Sequence, residues 1–239
     1  MSAWLPLAAS AHAGDIDRLL TAMHALIAVL FVGWTLFFVY ALVRFRRGRH
    51  ARASYEGLRG RWPLVIVGLV AIAELALTFT LDAPAWSARQ TLPAANQAFV
   101  VRVVAEQFAW NAHYAGPDGT FGRTAVKLVS GFNPVGLDRT DPAATDDVVS
   151  INQLNVPVDR DVIVYLSSKD VVHSFTLPQM RVKQDAIPGR VIPVWFHPTM
   201  RGQWEIVCSQ LCGLGHYRMR GQYAVMDAAA LTAWMAEQR

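Results

Sequence analysis

Two long runs of apolar residues near the start of the chain flank a short basic segment. Residues 19–43 contain no Asp, Glu, Lys or Arg, and residues 62–81 contain one charged residue, Glu74. As a helix, each run is long enough to cross a hydrocarbon core of about 30 Å. Both runs also exceed the usual length of a buried helix in a soluble protein. The pattern therefore predicts a transmembrane hairpin with helices at 19–44 and 62–82, the second broken at Pro84.

The pattern changes beyond residue 95 to short runs rich in β-branched and aromatic residues. Gly, Pro, Asn and Asp separate these runs, as is typical of an all-β sandwich. We predict strands within residues 99–104, 148–152, 161–166, 191–196, 203–207 and 222–226. The sandwich is predicted to cover 95–227, with a C-terminal helix at 228–239 and a surface loop in the aspartate-rich stretch 138–147.

Charge is concentrated between the two apolar runs, where seven arginines face one acid in residues 44–61. Short Lys/Arg-rich loops stay in the cytoplasm. The loop 45–61 is therefore predicted to be cytoplasmic, and the C-terminal domain periplasmic, in a two-helix protein of a bacterial-type inner (plasma) membrane. Of the net charge of +4, residues 1–82 carry +3 (eight bases, five acids). The basic pI thus reflects topology, and we expect the lipid bilayer as a partner but no nucleic acid.

The first 18 residues allow two interpretations. The sequence Ala11-His12-Ala13-Gly14 resembles a small-residue cleavage site after a weakly apolar stretch. A basic segment at the start of a secretory leader is missing, however. Residues 1–18 are therefore either a processed leader or an N-terminal tail on the outer side of the membrane.

The candidate chemistry lies in one short segment of the last quarter of the chain. It contains both cysteines of the protein, Cys208 and Cys212, followed by His216 and Met219, and a further histidine, His173, lies upstream. Soft ligands of this kind suit copper. A mononuclear blue-copper site uses two histidines, one cysteine and a weak methionine, so the second cysteine here favours two thiolates that bridge a pair of metal ions.

Two other interpretations of the cysteines account for less of the segment. A Cys208–Cys212 disulfide would leave His173, His216 and Met219 unexplained, and zinc sites rarely use methionine. The remaining histidines do not lie near other candidate ligands in the sequence and are interpreted as structural or solvated. They are His12, His24, His50, His113 and His197.

The apolar hairpin, the cupredoxin-like sandwich and the ligand loop together resemble subunit II of haem–copper oxidases, of the cytochrome c oxidase type that carries the CuA centre. The stretch 183–190, Lys-Gln-Asp-Ala-Ile-Pro-Gly-Arg, also matches that family. The resemblance implies a dinuclear CuA centre of two copper ions held by six residues. These are Cys208 and Cys212 as bridges, His216 and the backbone carbonyl of Gln210 on one copper, and His173 and Met219 on the other.

The resemblance also implies the partners and the reaction. A c-type cytochrome would supply single electrons, and the copper subunit would pass them to the haem-bearing subunit I, where oxygen is reduced. Subunit III would be a further partner. Two alternatives stay open at this point: the CuA subunit of a nitric oxide reductase, and a membrane-anchored copper chaperone. A chaperone would normally have a βαβ pattern and a single anchor helix.

The chain departs from the family pattern at the ligand loop and at the aromatic stretch. Gln210 occupies the position of a glutamate that helps to bind an interface magnesium ion, so the resemblance does not carry magnesium over to this chain. Phe108 occupies the position of the tryptophan at which electrons enter, while Trp110 and Tyr114 match the neighbouring aromatics. All three are candidates for receiving electrons, and their alternative role is packing in the sandwich core.

The membrane part departs from the family pattern as well. Arg59 occupies the position of an acid used in proton uptake by many relatives, and nearby Glu56 is either its substitute or a solvated loop charge. Glu74 lies roughly 18 Å along the second helix, deep in the bilayer. A carboxylate facing lipid there is costly. We expect Glu74 to face the partner subunit, through a hydrogen bond that fixes docking or as a stop on a proton path.

Overall fold

A computed structural model describes residues 5–49, 55, 57 and 60–238. These residues form two compact units. One unit is the helical part, Asp15–Gln90. The other is β-rich and combines the described residues up to Gly14 with those from Thr91 onward. Arg59 and Glu56, the residues considered for proton uptake, lie outside the described residues.

The helical unit consists of two apolar segments. Helix α1 covers Ala13–Arg44, and the second segment comprises α2 (Trp62–Leu77), a π-helical turn (Thr78–Asp82) and α3 (Ala83–Gln90). Both are long and apolar enough to cross a membrane. Helix α1 begins before the predicted residue 19 because polar residues of its first turns are also helical. Among them, Asp15 lies in the first turn, where its negative charge interacts favourably with the helix dipole and stabilises the helix.

The second helical segment does not end at Pro84, and the predicted boundary at 82 is wrong. The backbone N–H of Ala83 donates to the carbonyl of Thr78, five residues earlier, and so widens the turn that precedes the proline. A π turn of this kind shifts the hydrogen-bond register where Pro84 has no N–H to give. The helix therefore continues past the proline to Gln90.

The β-rich unit is a sandwich. Within the described residues, ten strands form two five-stranded sheets. The first sheet, in spatial order, contains β3 (Val148–Ile151), β2 (Ala109–Tyr114), β1 (Phe99–Glu106), β5 (Val162–Ser168) and β8 (Ile192–Phe196). The second contains β4 (Gln153–Pro157), β10 (Arg220–Met226), β9 (Gly202–Cys208), β6 (His173–Leu177) and β7 (Val182–Ala186).

The core lies between the sheets and follows the alternation of side chains along each strand. In β1, Val101, Val103 and Ala105 are buried and alternate with less buried residues. Strand β1 pairs in parallel with β5, and β10 pairs in parallel with β4, whereas the other neighbours are antiparallel. The six predicted strands are confirmed with small shifts at their ends. The two-layer sandwich predicted from the strand pattern is confirmed as well.

The residues before α1 are not a free tail. Ala9 is fully buried in the sandwich core, and its N–H and C=O bond to Gln179 and Thr199. The Ser10 hydroxyl donates to the carbonyl of Met180 at 2.8 Å. These contacts tie residues 9 and 10 to the sandwich, and the two interpretations of residues 1–18, a processed leader or a tail on the outer side of the membrane, stay predictions.

The C-terminal helix lies close to its predicted position, whereas the stretch 138–147 differs from the prediction. The C-terminal helix α4 covers Ala228–Glu237 and buries Leu231. The stretch 138–147 is not wholly a surface loop, because Asp147 is buried and its Oδ2 lies 2.6 Å from Nε2 of His113. Burial lowers the pKa of His113, although the Asp147 carboxylate acts in the opposite direction. This pair fixes the 138–147 segment to β2.

Candidate metal centre

The ligand residues come from three neighbouring strand ends of the second sheet. His173 is the first residue of β6, Cys208 is the last residue of β9, and Met219 immediately precedes β10. These strands are adjacent in the order β10-β9-β6, and Phe175 pairs with Cys208. Residues far apart in sequence are therefore brought to one end of the sandwich by strand pairing alone.

The side-chain atoms of the predicted ligands converge at this end. The Sγ atoms of Cys208 and Cys212 are 3.8 Å apart, and both cysteines are free thiols. The Sγ of Cys212 also lies 3.6 Å from Nδ1 of His216 and 3.6 Å from Sδ of Met219. Ligand atoms of His173, Cys208 and Cys212 all lie within 4.8 Å of one another.

The predicted backbone ligand, the carbonyl of Gln210, also lies close to the cysteine sulfurs. The carbonyl oxygen of Gln210 lies 3.2 Å from Sγ of Cys208, while the residue itself is exposed. The carbonyl thus points toward the sulfur cluster, whatever side chain residue 210 carries. This geometry matches a role for the backbone of residue 210.

The loop that runs from Cys208 to Met219 packs against the turn between β1 and β2. The side-chain Nε2 of Gln107 donates to the carbonyl of Cys212 at 2.7 Å. Gly213 has a φ of +132°, and a Cβ on Gly215 would lie 2.4 Å from the ring of Phe108. Both glycines are required, one by its backbone conformation and the other by close approach to an aromatic ring.

His173 is oriented from both sides of its ring. Its Nε2 donates to Oδ1 of Asp170 at 2.9 Å, and its Nδ1 lies 3.1 Å from Sδ of Met219. The ring of Trp110 packs edge-to-face on it, with centroids 6.2 Å apart. A carboxylate that accepts from Nε2–H leaves the lone pair of Nδ1 directed at the sulfur cluster.

Asp170 is itself held in place by the backbone. Its Oδ2 accepts from the N–H of Gln107 at 2.7 Å, and its Oδ1 accepts from the N–H of Val171 at 2.7 Å. Partial burial acts to raise the pKa of Asp170, but the hydrogen bonds from His173 and these N–H groups outweigh it and lower the pKa. The sequence reading missed Asp170, although an acid three residues before a candidate ligand was a usable signal.

The donor set fits copper. Two sulfurs that share a metal at about 2.3 Å each lie no more than about 4.6 Å apart, and the 3.8 Å between Cys208 and Cys212 meets this limit. Desolvation, reinforced by Cys208, raises the pKa of Cys212 to about 11, so a soft metal must displace its proton. A thioether beside two thiolates and two imidazoles favours copper over zinc.

The three candidate aromatics have different surroundings. Phe108 is half-buried against the ligand loop at Gly213 and Gly215. Trp110 is buried and contacts the His173 ring. Tyr114 is buried away from the loop, where its hydroxyl accepts from the N–H of Asn155 at 2.8 Å. Among the three, only Phe108 both contacts the ligand loop and reaches the surface.

Comparison with known proteins points to one family. Residues 99–224, more than half of the chain, match the sequence profile described as cytochrome c oxidase subunit II, periplasmic domain. The alternative cytochrome c oxidase subunit 2 of Bradyrhizobium diazoefficiens is 33% identical over 242 residues, which cover 99% of this chain and 84% of that protein. Cytochrome c oxidase subunit 2 of Cereibacter sphaeroides is 30% identical over 232 residues, covering 90% of this chain and 73% of that protein.

A solved structure is also similar to part of this chain. The crystal structure of the periplasmic domain of cytochrome oxidase subunit II (CoxB) of Bradyrhizobium japonicum aligns with a TM-score of 0.45 and 27% identity. The alignment covers 62% of this chain and 96% of that domain.

Proposed function

Since this chain belongs to the cytochrome c oxidase subunit II family, we propose that it holds a dinuclear CuA centre through which a haem–copper oxidase receives electrons. The chain is the electron-accepting subunit of an oxidoreductase complex. We propose further that its donor is a c-type cytochrome. Electrons would pass from this chain to the haem-bearing subunit I, which reduces oxygen. Subunit III completes the proposed set of partners.

One observation carries the proposal of two coppers. Two free thiols lie 3.8 Å apart, with the imidazoles of both His173 and His216 close to them. Six residues would hold the copper, with the roles given by the family pattern: Cys208, Cys212, His216, the Gln210 carbonyl, His173 and Met219. Copper bound there supplies a one-electron redox couple. The strands that carry the ligands limit how far the site rearranges when the charge changes.

The route of electrons into the site is proposed to start at Phe108. Its ring packs on the backbone of the ligand loop, at Gly213 and Gly215, and reaches the surface. Trp110 contacts His173 from the inside, so its role is to pack and orient that ligand. Tyr114 belongs to the sandwich core, where it packs edge-to-face on Trp234 with centroids 5.4 Å apart.

The chain is proposed to be anchored in a bacterial-type inner membrane by two spanning helices, with its copper domain in the periplasm. The apolar helices and a family domain described as periplasmic support this arrangement. The basic segment 45–61 would be cytoplasmic. A cysteine at Tyr55, an exposed residue of that segment, should react with an impermeant maleimide only after the cytoplasmic side is opened. Labelling of intact cells at that site would contradict this topology.

Metal content and electron paramagnetic resonance of the full chain in detergent test the proposed centre. We expect two copper ions per chain and, in the one-electron oxidised form, hyperfine coupling to both nuclei. Cys208→Ser removes one bridge and should abolish this signal, whereas Ser209→Ala, at the exposed neighbouring residue, should preserve it. One copper per chain, or coupling to a single nucleus in the wild type, would contradict the proposal.

A further inference from the structure

The surface beside the metal centre combines an exposed leucine, an aromatic ring and an arginine. Three residues define what we call the donor face: Phe108, Leu214 and Arg218. Leu214 lies between the two glycines that abut the Phe108 ring and is 98% exposed. The guanidinium of Arg218 lies 6.0 Å over the Phe108 ring, within range of a cation–π contact. The ring that reaches the surface is thus paired with a positive charge.

Glu106 and Asp170, two acids that adjoin the segment containing Phe108, already form hydrogen bonds within the chain. Glu106 accepts from Nζ of Lys169 at 2.6 Å and from Nδ2 of Asn111 at 2.8 Å. The two oxygens of Asp170 accept from His173, Val171 and Gln107. These hydrogen bonds and the ion pair with Lys169 occupy acceptor sites that a lysine-rich partner would otherwise use.

Two further acids on the second sheet are also paired with bases. Lys183 pairs with Asp185 at 3.4 Å, and Arg220 pairs with Glu205 at 3.2 Å. Within the part of the chain that the structure describes, the two exposed bases Arg190 and Arg218 have no carboxylate within 4.0 Å.

We infer that the electron donor docks on the donor face with an apolar contact ringed by carboxylates, and that it is not a lysine-rich cytochrome. The inference rests on the proposed function and specifies its partner. Complementary charge steers association, whereas like charges brought together oppose it. Exposed Leu214 and the Phe108 ring provide the apolar contact, and Arg218 beside them provides the attraction for an acidic rim.

Stopped-flow reduction of the copper-loaded full chain in detergent tests this inference. Two reduced c-type cytochromes of similar potential serve as probes, one with an acidic face and one with a basic face around the haem edge. Between ionic strengths of about 0.01 M and about 0.15 M the screening length falls from about 30 Å to about 8 Å. The rate constant for the acidic probe should be the larger at low salt and should fall as salt rises, while the rate for the basic probe should rise or stay level.

Charge reversal locates the effect. Arg218→Glu should lower the reduction rate with the acidic probe by about three- to tenfold at low salt and should raise the rate with the basic probe. The rates of Arg218→Gln should lie between those of the wild type and those of Arg218→Glu. The matched control is Arg201→Glu, because Arg201 precedes β9 at the end opposite Cys208, roughly 20 Å away along the strand. It is an exposed arginine paired with Asp227, and its reversal should leave both rates unchanged. An unaltered copper spectrum shows that each variant is intact.

The outcomes separate the inference from the function on which it rests. A faster reaction with the basic probe that slows as salt rises overturns the inference and leaves the proposed function standing. Equal rates with no response to salt or to Arg218→Glu do the same. Reduction by neither cytochrome, while a small chemical reductant reduces the site, overturns both.

Discussion

Asp170 should determine how tightly the centre holds copper, although it is not a ligand. Its Oδ1 accepts from Nε2 of His173 at 2.9 Å, and its Oδ2 is tied to the N–H of Gln107. In Asp170→Asn, an amide NH₂ replaces one oxygen and must face one of these N–H donors. The variant therefore loses a charge-assisted hydrogen bond and its hold on the His173 ring.

The size of the effect follows from these contacts. Removal of a partner that orients a metal-binding histidine typically costs 10–100-fold in metal affinity, or about 1.4–2.7 kcal/mol. We expect a loss of copper affinity in this range, measured by competition with a copper chelator on the full chain. Circular dichroism of the metal-free protein should show an unchanged sandwich.

Asp161→Asn is the matched control. Asp161 also binds a histidine, with its Oδ1 2.8 Å from Nδ1 of His197, but it precedes β5 whereas Asp170 follows it. The control should keep wild-type copper affinity. If Asp170→Asn weakened copper binding less than about threefold, or no more than the control did, the reasoning that Asp170 orients His173 would be refuted.

Two further predictions concern the ligand hierarchy and the membrane helix. Gln210→Ala should leave the copper spectrum nearly unchanged, because only the carbonyl of residue 210 points at Cys208, whereas Met219→Leu should keep copper but shift its reduction potential. Loss of copper in Gln210→Ala would refute the backbone assignment. Glu74→Gln, which keeps hydrogen-bonding shape, should assemble with its partner subunit and turn over at a near-normal rate, as measured by oxygen consumption. A fall of about tenfold or more with normal assembly would instead assign Glu74 to a proton path.

The sequence predicted six of the ten described strands and missed β2, β4, β6 and β7, of which the first three carry buried polar residues. Strand β2 contains Asn111 and His113, and both are buried. The Nδ2 of Asn111 donates to Oε1 of Glu106, and Nε2 of His113 bonds to Oδ2 of Asp147. The second pairing joins residues 34 apart in sequence, and neither propensity nor alternation reveals it.

The proximity of Cys208, Cys212, His216 and Met219 was predictable because these residues lie close together in one segment, so strand order did not have to be known. The supporting contacts were not predictable in the same way. Gln107 reaches the carbonyl of Cys212 across 105 residues of chain, and the packing of Phe108 against Gly215 depends on the same turn. The effect of Pro84 was predicted wrongly for a related reason. The π turn that compensates for the missing N–H of the proline has no recognisable sequence pattern.

The attachment of the N-terminal segment to the sandwich has a consequence for the order of folding. Ser10 and Met180 are bonded across 170 residues, and the carbonyl of Pro6 is bonded by Arg181 across 175. Both apolar helices lie within that interval. Contacts between such distant residues form late, because the entropy of closing the loop must be overcome first. Ala9 therefore fills its place in the core only after Gln179 and Thr199, the residues to which it bonds, have been synthesised.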